Sequence, residues 1–177
     1  MHFLQNEDRL PHGVPAHGCA IKAYLGAYYL ETEKNLFVRK IYLLPQTGST
    51  LIGQTENGAL KNTRWKFHAA LLMDSGDGDS EKSYVLDYDN FSHPILLAEY
   101  LSLYGLTTQD EIDFARCSDR IRSSFAVVDR HQYLQDFAYN WGTKTVVCRR
   151  VDAPWWSSSQ LEFFKRKALA LRPPLYN

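Results

Sequence analysis

Apolar positions fall in blocks along this chain, each bounded by glycine, proline or polar residues. Residues 1–18 hold Pro11, Gly13, Pro15 and Gly18 and read as irregular. From Cys19 to about Leu30 the stretch CAIKAYLGAYYL is almost continuously apolar or aromatic and contains no proline, so its length predicts a buried helix rather than a strand. Gly18 is an acceptable N-cap, which puts Cys19 in the first turn. Residues 36–44 read as a strand stopped by Pro45. Residues 46–63 read as turns, with a short strand at 50–54.

The segment 64–73 reads as one strand and 83–91 as a second, joined by the polar loop 74–82 into a hairpin. Ser92 caps a helix that ends near Gly105. Residues 107–123 are polar and partly helical. SFAVVD at 124–129 reads as a buried strand, 131–140 as a short helix, 143–150 as a strand and 159–171 as a final helix before Pro173 and Pro174. A front helix, mainly antiparallel strands and helices packed on them make an α+β domain.

The 177 residues fit one domain, residues 1–177, and a chain of that size buries about 70% of its unfolded surface without staples. Twenty basic residues balance twenty acidic ones, which argues against a nucleic-acid or membrane-surface partner. The three cysteines are scattered and form no CxxC, so neither a disulfide framework nor a cysteine zinc site is expected. The charged start lacks the apolar core of a secretory signal, and no apolar run reaches the roughly 18 residues of a membrane helix. The expectation is a cytoplasmic monomer, with export by a dedicated machine left open. Asp74, Asp77, Asp79 and Glu81 lack the offsets of a calcium loop and read as a solvated turn.

The candidate chemistry begins at Cys19. A thiol in the first turn of a helix faces unpaired N–H groups and the positive end of the helix dipole, which favour a thiolate and can hold an oxyanion. In the hairpin, pairing 73 with 82 sets His68 opposite Asp87 on one face. A carboxylate there fixes the imidazole tautomer and stabilises the imidazolium. Asp89 lies two residues on, on the same strand face, and is a candidate for a substrate ammonium. Trp65 and Trp155 are candidate pocket walls. His17 is a rival base. His12, His93 and His131 read as loop or cap residues with no metal-ligand spacing.

A helix-start Cys followed by a strand His and then an Asp on the next strand is the chain order of the transglutaminase-like branch of papain-like thiol hydrolases. The local sequence is sharper. Trp65-Lys-Phe-His68 with the following apolar run, the Asp87-Tyr-Asp89 strand, Arg122-Ser-Ser-Phe-Ala-Val and Tyr133-Leu-Gln-Asp-Phe-Ala together resemble the protein N-terminal glutamine amidohydrolases. The Arg39-Lys40 strand and Trp155 near the end are similar too. The resemblance covers roughly residues 17–164. It departs from the family at Gly18, where an aromatic is common, at Lys66, where an acid is usual, and after Trp141, where an insertion is missing.

The resemblance implies a papain-like, transglutaminase-like core whose N-terminal helix carries the Cys against a mainly antiparallel sheet. It implies a triad of Cys19, His68 and Asp87 that deamidates the N-terminal glutamine of a protein or peptide with no cofactor and no metal. Two other readings stand beside it. One is a deamidase or transglutaminase acting on an internal glutamine of a partner protein; the other is a binding module with a vestigial triad.

Overall fold

A computed structural model describes residues 19–74, 82–113, 122–129, 132–140 and 145–152. Helix α1, Cys19–Lys34, has ten of its residues buried between Ala20 and Leu30, as an all-round apolar helix must. Its exposed last turn, from Glu31 on, is polar. Asn35 ends it in the left-handed region at φ 53, and Leu36 N–H reaches back to Leu30 O. Asparagine tolerates that conformation better than other side chains with a Cβ.

The central sheet holds β1 (Arg39–Leu44), β4 (His68–Met73), β5 (Tyr84–Leu86), β6 (Ile95–Leu96) and β7 (Ser124–Val128), in the order β6-β5-β4-β1-β7. Every neighbouring pair is antiparallel. A two-stranded ribbon of β2 (Leu51–Gln54) and β3 (Leu60–Trp65) stands apart, as does the pair β8 (Gln132–Asn140) and β9 (Thr145–Asp152). The α+β class, with the Cys-bearing helix on an antiparallel sheet, is as the sequence predicts.

Strand alternation sorts the core into two layers. Tyr42, Leu44, Ala69, Leu71 and Leu86 pack with α1. Ile41, Leu43, Ala70, Leu72 and Val85 pack on the other side with Trp65, Phe91 and the short helix α2, Leu97–Ser102. The inner strand β1 is therefore buried on both faces, which is why its residues 41–44 are all apolar or aromatic.

Four expectations are corrected. The strand over 64–73 breaks at residues 66 and 67, so β3 and β4 belong to different sheets and Lys66 lies on neither strand. The strand over 83–91 stops at Leu86. Beyond it Asp87 O accepts from Asn90 N and Phe91 N, a tight turn that puts Asp89 off the strand. The helix capped by Ser92 starts only at Leu97; Ser92 instead hydrogen bonds Glu56. Gly105, at φ 68, does close that segment. Residues 132–140, within the stretch read as a short helix, form a strand, because pairing with β9 along its length satisfies their backbone. The helix read at 159–171 lies outside the described residues.

Candidate active site

His68 opens β4, and Asp87 follows the last residue of β5. The observed register sets Leu71 against Leu86 and Met73 against Tyr84, two residues away from the expected pairing. A shift of two preserves which face each side chain takes. His68 therefore still meets Asp87, diagonally, at the same end of the sheet. Its Nε2 lies 2.8 Å from Asp87 Oδ2, with both side chains almost fully buried.

The carboxylate has further donors. Asn90 Nδ2 is 2.8 Å from each Asp87 oxygen, and Tyr100 Oη donates to Oδ2 at 3.1 Å. Burial alone would raise the Asp87 carboxyl. The His68 charge and the hydrogen bonds from His68, Asn90 and Tyr100 outweigh it and hold the group below its ordinary value. Burial, and next the Asp87 charge, push the Tyr100 phenol well up, so it stays a donor.

Burial alone would lower the His68 imidazole. The Asp87 charge, its hydrogen bond and the interaction with the Cys19 thiol overcome that and raise the ring to about 10. Among the described residues, Nδ1 makes no hydrogen bond of full geometry. With Nε2 committed to Asp87, Nδ1 is the nitrogen left for Cys19, and a loose contact of this kind is ordinary in a site without substrate. The face of the ring is covered by Trp65, stacked with centroids 4.2 Å and planes 15° apart.

Cys19, the first residue of α1, is half-buried. It lines a cleft with Lys22, Ala23, His68, Asp87 and Asp89. Lys22, one turn along α1, is 5% exposed and forms an ion pair with Asp89. An interior lysine needs such a partner.

The structure thus brings Cys19, His68, Asp87 and Asp89 to one cleft. Trp65 is 7% exposed and backs the imidazole rather than forming an open pocket wall. Trp155 and the rival base His17 lie outside the described residues, as do His12 and His131. His93 sits on the surface, 3.6 Å from Glu56. Among the described residues, no three His, Cys, Asp or Glu side chains gather as a metal-holding group.

Sequence reasoning missed Lys22, Asn90, Tyr100 and Lys61, whose Nζ donates to Asn90 Oδ1. Lys22 had a visible signal: it is the single charge in the apolar run CAIKAYLGAYYL. The other three had none, because each acts through another side chain.

Comparison with known proteins adds three findings. A family model described as "Glutaminase" (Gln_deamidase_2) matches residues 1–104, a stretch that holds Cys19, Lys22, His68, Asp87, Asp89 and Asn90. No curated protein matches the sequence. Among solved structures, a crystal structure of protein-glutaminase is similar with a TM-score of 0.45 and 12% identity, over 84% of this chain and 77% of that one.

Proposed function

The chain belongs to the glutaminase family, and from that premise we propose that it hydrolyses the side-chain amide of a protein-bound glutamine, with Cys19 as nucleophile, His68 as base and Asp87 as the residue that orients the histidine. The observation that carries this reading is the buried imidazole held by Asp87 at Nε2, with Nδ1 left for the Cys19 thiol in the same cleft.

The steps follow from these groups. His68, kept charged at neutral pH by Asp87 and Cys19, already holds on Nδ1 the proton taken from the Cys19 thiol, while Nε2–H stays on Asp87. The thiolate adds to the amide carbon. Backbone N–H groups at the start of α1 stabilise the oxyanion. His68 then passes its proton to the departing ammonia, leaving a thioester on Cys19. The neutral imidazole next takes a proton from water, the hydroxide adds to the thioester, and glutamate leaves as His68 returns the proton to sulfur. This order is that of the papain-like, transglutaminase-like hydrolases that the sequence resembles.

The position of the glutamine is the finer question. The sequence resemblance favours an N-terminal glutamine, with Asp89 receiving the ammonium. The ion pair between Asp89 and Lys22 favours a glutamine inside a chain, since the only cleft carboxylate besides Asp87 among the described residues already has a cation. We take the internal glutamine as the substrate.

Ammonia release from matched peptides tests this: internal Gln, free N-terminal Gln, acetylated N-terminal Gln and free N-terminal Asn. Turnover of internal and acetylated Gln, lost in Cys19→Ala, is expected. Turnover of free N-terminal Gln alone would restore the N-terminal reading. No turnover of any peptide, with iodoacetamide labelling Cys19 no faster than Cys117 and Cys148, would leave a binding module.

A further inference from the structure

We propose that Lys61 and Asn90 are positioning residues that act on His68 through Asp87, and that the β2–β3 ribbon is the backing that holds the catalytic pair in place. The proposal rests on the thiol reading above. The side chain of Asn90 spans two partners. Its Nδ2 is 2.8 Å from both Asp87 oxygens, and its Oδ1 accepts from Lys61 Nζ on β3.

A lysine ammonium has donors and no acceptor. It therefore admits only one orientation of the Asn90 amide, the one that turns Nδ2 toward the carboxylate. The flipped amide would set its oxygen against Asp87 and its NH₂ against Lys61, two mismatches at once. Asn90 in turn grips both carboxylate oxygens, and Tyr100 adds a third donor at 3.1 Å. A carboxylate held at both oxygens does not swing away from Nε2, so the imidazole keeps Nδ1 aimed at Cys19.

The same ribbon supplies the stacking partner. Lys61 and Trp65 lie four residues apart on β3, which puts them on one strand face. Gly53 on β2 is what lets both fit. A Cβ there would stand 2.8 Å from Trp65 Cη2 and 3.2 Å from Lys61 Cβ. The outer side of the ribbon is solvent: Leu60 is 68% exposed. What it contributes inward is Lys61 against Asn90 and Trp65 against His68.

The test uses the whole chain with Lys61→Met, Lys61→Arg, Asn90→Leu and Asn90→Asp. Two quantities are read: kcat and KM on a glutamine peptide, and the rate of Cys19 alkylation by iodoacetamide across the acid and neutral range, which needs no substrate. Lys61→Met and Asn90→Leu should lower kcat by about tenfold to a hundredfold, the scale of a misplacement near 1 Å, with KM unchanged. They should also move the acid limb of alkylation to higher pH, because Asp87 takes up a proton sooner as the pH falls once the Asn90 donor is removed, as in Asn90→Leu, or no longer held in place, as in Lys61→Met. Asn90→Asp should move the limb furthest, since a second carboxylate faces the first. Lys61→Arg, also donor-only, should keep the original limb.

Folded Lys61→Met and Asn90→Leu with the original kcat and acid limb, altered only in melting temperature, would overturn the proposal. If Asn90→Leu does not fold, Lys61→Met carries the same test with Asn90 in place. Cys19 labelled no faster than Cys117 and Cys148 in the unsubstituted chain would sink the thiol reading and this proposal with it. A shifted acid limb of alkylation in Lys61→Met and Asn90→Leu, with the unsubstituted chain inactive on every glutamine peptide, would uphold the positioning role and overturn the glutaminase reading.

Discussion

The imidazole of His68 lies flat on the indole of Trp65, with ring centroids 4.2 Å apart and planes 15° apart. The contact bridges the break between two sheets: Trp65 ends β3 and His68 begins β4. An imidazolium over an indole face gains the attraction of a cation for the ring quadrupole, worth about 0.5 to 2 kcal/mol depending on desolvation. It also cannot tilt without losing that contact. The stack thus favours the charged form of His68, which in the proposed mechanism is the form that carries the Cys19 proton.

Trp65→Leu should therefore lower kcat more than it lowers binding of the glutamine peptide. Gly53→Ala should produce a milder form of the same defect from a distance. Its new Cβ would stand 2.8 Å from Trp65 Cη2, so the indole must shift, at about 1 to 3 kcal/mol for overpacking. Steady-state kinetics with a thermal melt of each variant measures both. A Gly53→Ala enzyme with unchanged kcat and melting temperature would show that Trp65 has room this geometry denies it.

Asp87→Asn should preserve the fold and remove most of the rate. A neutral amide no longer stabilises the imidazolium, and its NH₂ can force the wrong tautomer on His68. The loss should approach the roughly 10⁴-fold that this change causes in hydrolase triads of the same logic. Here Asn90 adds to the damage, because its Nδ2 donor, now 2.8 Å from each carboxylate oxygen, would meet a second amide. Ammonia release with circular dichroism as the fold control checks this. Asp87→Asn combined with Cys19→Ala should be no worse than Cys19→Ala alone, since triad members act as one unit.

The same pair makes stability depend on pH in two directions. His68 is raised in the folded chain from 6.5 to about 10. Its contribution is fully present below 6.5 and is lost as pH rises through about 10. Asp87 is lowered from 3.8. Its contribution is present above that value and is lost as pH falls through the folded one. The melting temperature should therefore be highest between pH 3.8 and 6.5, already decline through neutrality, and fall on both sides of that window. In His68→Gln the alkaline fall between neutrality and about pH 10 should flatten. Calorimetric melts of the two proteins over that span decide it, and parallel curves would mean His68 does not carry the alkaline dependence.

The three central residues were legible for different reasons. Cys19 showed itself by position, at the start of a run too apolar and too long to be anything but a buried helix. His68 and Asp87 showed themselves by parity: adjacent strands and an even offset put both on one face, and the actual two-residue change of register left that unaltered. What was hidden depends on contacts distant in sequence. The break at residues 66 and 67 follows from β3 pairing with β2 rather than extending β4. The turn that carries Asp89 and Asn90 is set by hydrogen bonds to Asp87 O. Residues 132–140 have apolar spacing that fits a helix, and only the partner strand decides against it.

The ion pair of Lys22 and Asp89 offers the sharpest test of which glutamine is taken. Lys22 is nearly buried, whereas the Asp89 carboxylate is 27% exposed, at the mouth of the cleft that holds Cys19. The two partners are therefore not equivalent. Asp89→Asn strands a buried ammonium, which costs about 3 to 5 kcal/mol when one member of a buried pair is removed. Lys22→Met keeps the aliphatic stem, removes the charge and leaves a carboxylate that water still reaches, so its melting temperature should fall less. The effect on substrate choice should run the other way. Without the Lys22 charge beside it, the partly exposed Asp89 carboxylate attracts a substrate α-ammonium more strongly, and Lys22→Met should raise turnover of peptides beginning with free Gln relative to internal Gln. Asp89→Asn has no charge to offer and should not. Ammonia release from the free, acetylated and internal Gln peptides, measured for the unsubstituted chain and both variants, reads the ratio directly. A ratio unchanged in Lys22→Met would mean that the pair braces α1 against the turn without choosing the substrate.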